Sequence, residues 1–313
     1  MTQVLEAIPN FSEGRDVAKI EQLVARISAF DVEVLDWSSD PDHHRSVVTF
    51  IGAPSDVESA SVEAAHFACT HFDLSRHKGV HPRVGALDVL PFVPVHGLTM
   101  KDAVVSAHRV GSAIARLGVP VFFYGQAAKP VGRGLAQLRR GGVEALADGW
   151  PRDRTPDMPV DAKRPHPTAG VTCVGARPVL LAWNVFVTGV ELAEVRRIAG
   201  VIRERDGGFA GLRALGLRLA GQDRMQISMN LEDPHRTAPL DVFDKIDAEL
   251  RAAGGQVVET EVIGMIPDTL VLPNSSGKLQ LPYLGPARVL SHRVANYVMA
   301  HADGRTETSE IAE

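Results

Sequence analysis

The chain has only two cysteines among its 313 residues, Cys69 and Cys173. They stand far apart and in no metal or redox spacing, which excludes a cysteine-ligated zinc motif or a Cys-x-x-Cys pair and suits a reducing compartment. Long apolar runs are missing too: none approaches the roughly 18 residues that a membrane span needs. The N-terminus "MTQVLEAIPNFSEGRD" has no basic stretch followed by an apolar core, so no signal peptide is expected and a cytoplasmic location is. Nor is there a basic excess. With 33 Lys and Arg against 38 Asp and Glu the formal net charge is −5, which argues against nucleic acid or an acidic membrane as partner. Phosphate-loop and dinucleotide fingerprints are likewise absent; "RDGGFAG" and "VGRGLAQLRRGG" match neither and read as turns. The glycosylation-like triplets at Asn10 and Asn274 read as chance in a cytosolic chain.

What the chain does have is 45% hydrophobic and 23% charged residues, enough for a sizeable core, and a length suited to about two domains of roughly 150 residues each. "QVLEAIP" (3–9) reads as a strand. The next segment carries Val17, Ile20, Val24 and Ile27 at helical spacing, with a start near Ser12, Glu13 and Gly14. Strands are expected over 32–37 and 46–52, a helix over 56–69, and a strand through "VGALDVLPFVPV". That order is β-α-β-β-α-β, the ferredoxin-like split β-α-β pattern. It is extended by a helix over 100–117, the strand "VPVFFYG" and a helix near 131–147. Residues 149–169 are proline-rich and without period, and such long irregular segments are functional or disordered. A second β-α-β-β-α-β pattern follows from "PVLLAWNVFV" to "QVVETEVIGMI", and "PARVLSHRVANYVMA" reads as a final helix. The expected architecture is α/β (α+β), with two ferredoxin-like subdomains over 1–177 and 178–313, the first extended.

Two polar clusters interrupt these apolar patterns. "SRHKGVHPR" gathers His77, Lys78, His81 and Arg83. Gly79 and Pro82 oppose a helix there, so the two histidines do not form an i,i+4 zinc pair. The segment reads either as a solvated basic loop or as an anion-binding loop whose histidine shuttles a proton near neutrality. "DWSSDPDHHRSVV" places Asp36, Asp40, Asp42, His43, His44 and Arg45 between two strands. It reads as a polar hairpin turn or, jointly with the first cluster, as a source of imidazole ligands for a metal. Asn184, in "AWNVF", reads as a strand-end polar group with a local partner.

Several stretches together resemble the formiminotransferase family: "PNFSEGRD" (9–16), "HHRSVVTFIG" (43–52), "HKGVHPRVGALDVLPFVPV" (77–95), "GVPVFFYG" (118–125), "HPTAGVTCVGAR" (166–177), "LLAWNV" (180–185) and "QISMNL" (226–231). The resemblance implies transfer of a formimino group from N-formimino-L-glutamate to the co-substrate tetrahydrofolate in histidine breakdown. It also implies a homodimer, two α/β subdomains and the transferase portion without a cyclodeaminase. The family's catalytic histidine falls on His81 and no metal is implied. Substrate contacts fall to Arg83, Arg45, Lys78, Asn10 and Asn184. Folate contacts fall to Asp161, Ala162, Lys163, Arg164, Pro165, His166, Pro167, Thr168, Ala169 and Gly170. Asp36, Asp40 and Asp42 are candidates for orienting His81. Two departures stand out: many members carry asparagine where this chain has His44, and the folate stretch "DMPVDAKRPHP" is longer and more charged than the family's. The rival expectations are a folate-binding module without turnover, a relative that moves another one-carbon unit such as formyl, and a histidine-ligated metal protein.

Overall fold

The computed structural model describes residues 2–79, 82–219, 224–271, 275–282 and 284–302. Two compact units result: one takes in the described residues up to Arg177 together with those from Asn296 onward, the other Pro178–Ala295.

The first unit runs β1 (Val4–Ala7), β2 (Asn10–Phe11), α1 (Val17–Ile27), β3 (Val32–Asp40), β4 (Arg45–Gly52), α2 (Pro54–His71), β5 (Leu87–His96), α3 (Met100–Arg116), β6 (Val121–Gly125), α4 (Leu135–Leu138) and β7 (Thr172–Ala176). Its seven strands form one sheet: β3 pairs β4, β4 pairs both β1 and β2, these pair β5, and β7 lies parallel between β5 and β6. The split β-α-β order is thus present, widened by the parallel strands β7 and β6, with α3 connecting β5 to β6. Helices α1, α2 and α3 bury Leu23, Ile27, Ala64, Phe67, Ala107 and Ile114 against Leu5, Phe50, Leu90 and Phe92 of the sheet. The period of two sends alternate side chains of β6 to opposite faces. Phe123 joins that core, while Phe122 and Tyr124 pack with Leu138, Leu146 and Trp150 on the other side.

Three local expectations need correcting. The helix α1 is capped by Asp16, which accepts from the Lys19 amide at 3.1 Å; Ser12 is committed elsewhere, its hydroxyl donating to the Gly85 carbonyl at 2.7 Å. The helix expected near 131–147 is only α4 and a 3-10 turn over Val143–Leu146. Gly132, Gly141 and Gly142 there have φ of +92°, +76° and +68°, left-handed values that break a right-handed helix. The strand β7 was not expected as a separate element.

The second unit runs β8 (Leu181–Thr188), α5 (Leu192–Ile202), β9 (Leu212–Leu219), β10 (Arg224–Leu231), α6 (Pro239–Ala252), β11 (Gln256–Ile263), α7 (Ser275–Lys278) and the start of α8 (Leu290–Ala302). Its antiparallel sheet has the order β11-β8-β10-β9, the second split β-α-β arrangement. Trp183, Val185, Ile227 and Met229 pack one face of it against Val195, Ile198, Val242 and Ile246 of α5 and α6.

Candidate functional site

Strand register delivers three connections to one end of the first sheet. Phe11 lies opposite Ser46 and Leu87, and Asp40 opposite Arg45. The residues after β2, the turn between β3 and β4, and the segment leading into β5 therefore meet. Glycine permits the close approach: a Cβ at Gly14 would overlap the Asp40 carbonyl and the Arg45 amide, and one at Gly79 the His43 carbonyl.

Glu13 anchors the first connection. Its Oε1 accepts from the amides of Gly14 (2.9 Å), Arg15 (2.8 Å) and Asp16 (3.1 Å). Burial alone would raise its pKa, but the Arg15 and Asp16 amides and His44 outweigh it and hold the carboxyl below its ordinary value. A carboxylate only accepts, so the His44 Nε2, 3.2 Å away, carries the proton between them. In the turn, the Asp40 Oδ1 accepts from the amides of Asp42 and His43, each at 2.8 Å, and its Oδ2 accepts from His43 Nδ1 at 2.7 Å. Burial of Asp40 is again outweighed, by the His43 side chain and amide, and its pKa lies low. Asp40 therefore spends its carboxylate on its own turn.

The loop before β5 rests on this turn. His77 is buried, stacks on the His44 ring with centroids 4.2 Å apart and planes 10° from parallel, and donates from Nε2 to the His44 carbonyl at 2.7 Å. Among the described residues its buried Nδ1 has no partner. Burial depresses the His77 pKa, and the charges of His44 and Arg83 add to that, so the neutral ring is favoured. The exposed Lys78 offers its carbonyl to Arg15 Nη2 at 2.8 Å. His81 and Val80 lie outside the described residues. Beyond them Arg83 turns its guanidinium to Glu144, with contacts of 2.7 and 3.4 Å, and to the His77 carbonyl at 3.4 Å. Burial of Glu144 is outweighed by its own amide and by Arg83, which keep its pKa low.

Asp88, at the start of β5, is a further site residue that the sequence patterns did not single out. It is buried, accepts from the amides of Val84 (2.7 Å) and Gly85 (3.3 Å), and pairs with Arg139. An acid inside the apolar run "ALDVLPF" was the available signal. The stretch assigned to folate lies against the same backbone. The amides of Leu74 and Ala86 donate to the carbonyls of Thr168 (2.8 Å) and Ala169 (2.9 Å). Gly170 has φ +66°, and a Cβ there would overlap the Val84 carbonyl. His166 accepts at Nδ1 from the Ala169 amide at 3.0 Å and faces the Cys69 thiol with Nε2 at 3.8 Å; burial lowers its pKa. Asp161, Lys163, Arg164 and Pro167 are exposed, while Ala162 accepts from Trp150 Nε1 at 2.6 Å.

Of the other expected contacts, Arg45 opens β4 in a half-buried position, and Asn10 donates to the Ile8 carbonyl at 2.8 Å within the first unit. Asn184 belongs to β8 of the second unit, where it is buried and donates to Glu261 at 3.2 Å. Among the described residues no three His, Cys, Asp or Glu side chains converge as a metal site.

Comparison with known proteins places this geometry. The formiminotransferase domain, N-terminal subdomain, matches residues 4–177, and the formiminotransferase domain matches residues 182–277. A glutamate formimidoyltransferase of Streptococcus pyogenes serotype M1 is 36% identical over 285 residues, covering 90% of this chain and 95% of that protein. Another, of Thermoplasma acidophilum, is 32% identical over 301 residues, covering 93% and 97%. The formimidoyltransferase-cyclodeaminase of Sus scrofa is 37% identical over 281 residues, 85% of this chain but 51% of that protein. With both domain models matched in succession and about a third of the residues shared along nearly the whole length of two transferases, the chain belongs to the formiminotransferase family.

Proposed function

We propose that the protein transfers the formimino group of N-formimino-L-glutamate to tetrahydrofolate, giving L-glutamate and 5-formiminotetrahydrofolate, with His81 as general base and acid. The observation that carries the reading is the match to glutamate formimidoyltransferases across nine-tenths of the chain, which runs through "HKGVHPRVGALD". The chemistry asks for what this segment contains. The formimino carbon is amidine-like, and the pterin N5 attacks it. A base takes the proton from that nitrogen, and an acid then protonates the departing glutamate nitrogen. One imidazole performs both steps in turn, a contribution of about 10²- to 10⁴-fold. The two carboxylates of the donor call for cations, the planar fork of Arg83 and Arg45 and the point charge of Lys78, with Asn10 and Asn184 as amide contacts. The stretch 161–170, whose last residues are stitched to the backbone at 84–86, is assigned to the folate. Residues 1–177 and 178–313 are assigned as the two subdomains of a cytoplasmic homodimer acting in histidine breakdown.

Release of glutamate from N-formimino-L-glutamate, with and without tetrahydrofolate, tests the reading in wild type and His81→Ala. Folate-dependent release that falls at least about a hundredfold in the variant, with folate binding retained, is the expected result. A variant with near-normal turnover removes His81 from its role. Folate binding without any release in the wild type points to another donor or to a binding module.

A further inference from the structure

The stretch assigned to folate ends in a closed turn whose interior is filled by a side chain of its own. His166 and Gly170 exchange both backbone hydrogen bonds, each amide donating to the other's carbonyl at 2.9 Å. Pro167, Thr168 and Ala169 form the loop between them, and its polar backbone groups need partners. The carbonyls are spent outward: Thr168 accepts from the Leu74 amide at 2.8 Å and Ala169 from the Ala86 amide at 2.9 Å. Pro167 has no N–H to place. That leaves the amides of Thr168 and Ala169, and both turn to the His166 ring. Nδ1 accepts from Ala169 at 3.0 Å and, more weakly, from Thr168 at 3.4 Å, with the Thr168 hydroxyl also at 3.4 Å.

This arrangement fixes the tautomer. A backbone amide only donates, so Nδ1 presents a lone pair, and in a neutral ring the proton then sits on Nε2. Burial favours that neutral ring. Nε2 faces the Cys69 sulfur of α2 at 3.8 Å, a weak acceptor whose own burial keeps it a thiol. Both ring nitrogens are therefore engaged within the protein, and neither is left to bond a ligand. Ala169 is buried, so losing Nδ1 would leave a buried donor unpaired, which costs more than the bond itself is worth.

We propose that His166 is a positioning residue for tetrahydrofolate: its ring closes the 166–170 turn from inside and holds the folate stretch in its binding shape without itself bonding the folate. This rests on the reading of 161–170 as the folate stretch. Apparent affinity scales with the fraction of molecules whose site is formed. If the closed turn falls to about a tenth of the population without the ring, the folate Kd rises about tenfold. The donor contacts assigned above lie on other residues, so donor affinity should stay nearly untouched.

The test uses the full chain in three measurements. Nitrogen-15 shifts of histidine-labelled protein, assigned by the resonances lost in His166→Asn, should show Nδ1 unprotonated and Nε2 protonated at neutral pH. Calorimetric titration with tetrahydrofolate should give a Kd about tenfold higher in His166→Leu. His166→Asn, whose side-chain oxygen can accept the amides two and three residues on, should stay within about threefold of wild type. In steady-state kinetics the folate KM of His166→Leu should rise in parallel, with the donor KM within about threefold. His166→Ala makes the same comparison if His166→Leu does not fold. A protonated Nδ1, wild-type folate affinity in the apolar variant, or an Asn variant no better than the apolar one overturns the proposal. Wild-type protein that binds tetrahydrofolate but transfers no formimino group removes the proposed reaction, and the shifts and titrations still decide this role. Wild-type protein that binds no tetrahydrofolate removes the folate assignment of 161–170 and this proposal with it.

Discussion

Replacing Asp88 tests whether the segment after His81 is held from below. The carboxylate is 1% exposed and is the shared acceptor of the Val84 and Gly85 amides and of Arg139, whose side chain is 13% exposed. Asp88→Ala strands two amide donors beside a buried position and leaves a largely buried arginine charge without this carboxylate. Breaking a buried pair by removing one partner costs about 3–5 kcal/mol. Each stranded amide alone would cost about 1–3 kcal/mol, but the overlapping losses do not add. The expected destabilisation is therefore about 3–5 kcal/mol. Asp88→Asn keeps an oxygen for the amides but turns an NH2 donor toward Arg139, so it should cost about 1.5–3 kcal/mol, the worth of the lost hydrogen bond to a charged group. Trp150 packs edge-on against Phe122 with ring centroids 5.9 Å apart, in the cluster that also holds Val84 and Leu138. Its fluorescence thus reports unfolding of this unit in urea. In Asp88→Ala/Arg139→Met the losses should be well below additive, since the two groups share one interaction. A loss under about 1 kcal/mol in Asp88→Ala would refute the argument, because the amides would then have found another acceptor.

Two further predictions concern charge. Arg83→Lys exchanges a planar fork for a point charge, and the donor KM should rise roughly tenfold or more, the worth of one charge-assisted hydrogen bond; an unchanged KM in steady-state kinetics counts against a carboxylate clamp. Glu6, in the middle of β1, is 2% exposed, and burial, only partly offset by Arg177, raises its pKa from 4.5 to about 7. Between those values the unfolded chain has released a proton that the folded one keeps, so stability should fall as pH rises from about 4.5 through about 7, by about 3 kcal/mol in all. Glu6→Gln should remove that slope from urea unfolding measured at several pH values, and a slope that persists would show that another group causes it.

The parts of the fold legible in the sequence are those whose cause is local. The periodic apolar residues of α1 and α3 and the β-branched runs of β4 and β11 each state their own conformation, and both split β-α-β orders follow from them. Where a local signal failed, a distant group or a left-handed glycine had overridden it. Ser12 looks like a helix cap, yet its hydroxyl and amide are spent on the carbonyls of Gly85 and Ala86, which leaves Asp16 to cap α1. The leucines near 131–147 have a helical look, but left-handed glycines stop the helix after one turn. β7 is five residues long and becomes a strand because β5 and β6 flank it; its short apolar run has no period of its own.

The site divides along the same line. Residue types were readable, since a loop holding His77, Lys78, His81 and Arg83 beside a proline and a glycine advertises polar chemistry. Partnerships were not. Glu13 and His44 are 31 positions apart, Arg83 and Glu144 61, and Arg139 and Asp88 51. No spacing rule of helix or strand connects such pairs; strand register does, by bringing the ends of β2, β3 and β5 to one edge. Asp40 shows the consequence. Composition makes it as good a candidate as Asp36 or Asp42 for orienting a catalytic imidazole, and an aspartate two and three residues before backbone amides also closes a turn on itself. His43 then completes the ring of acceptors and donors. A carboxylate so engaged braces the turn on which His77 and Gly79 rest.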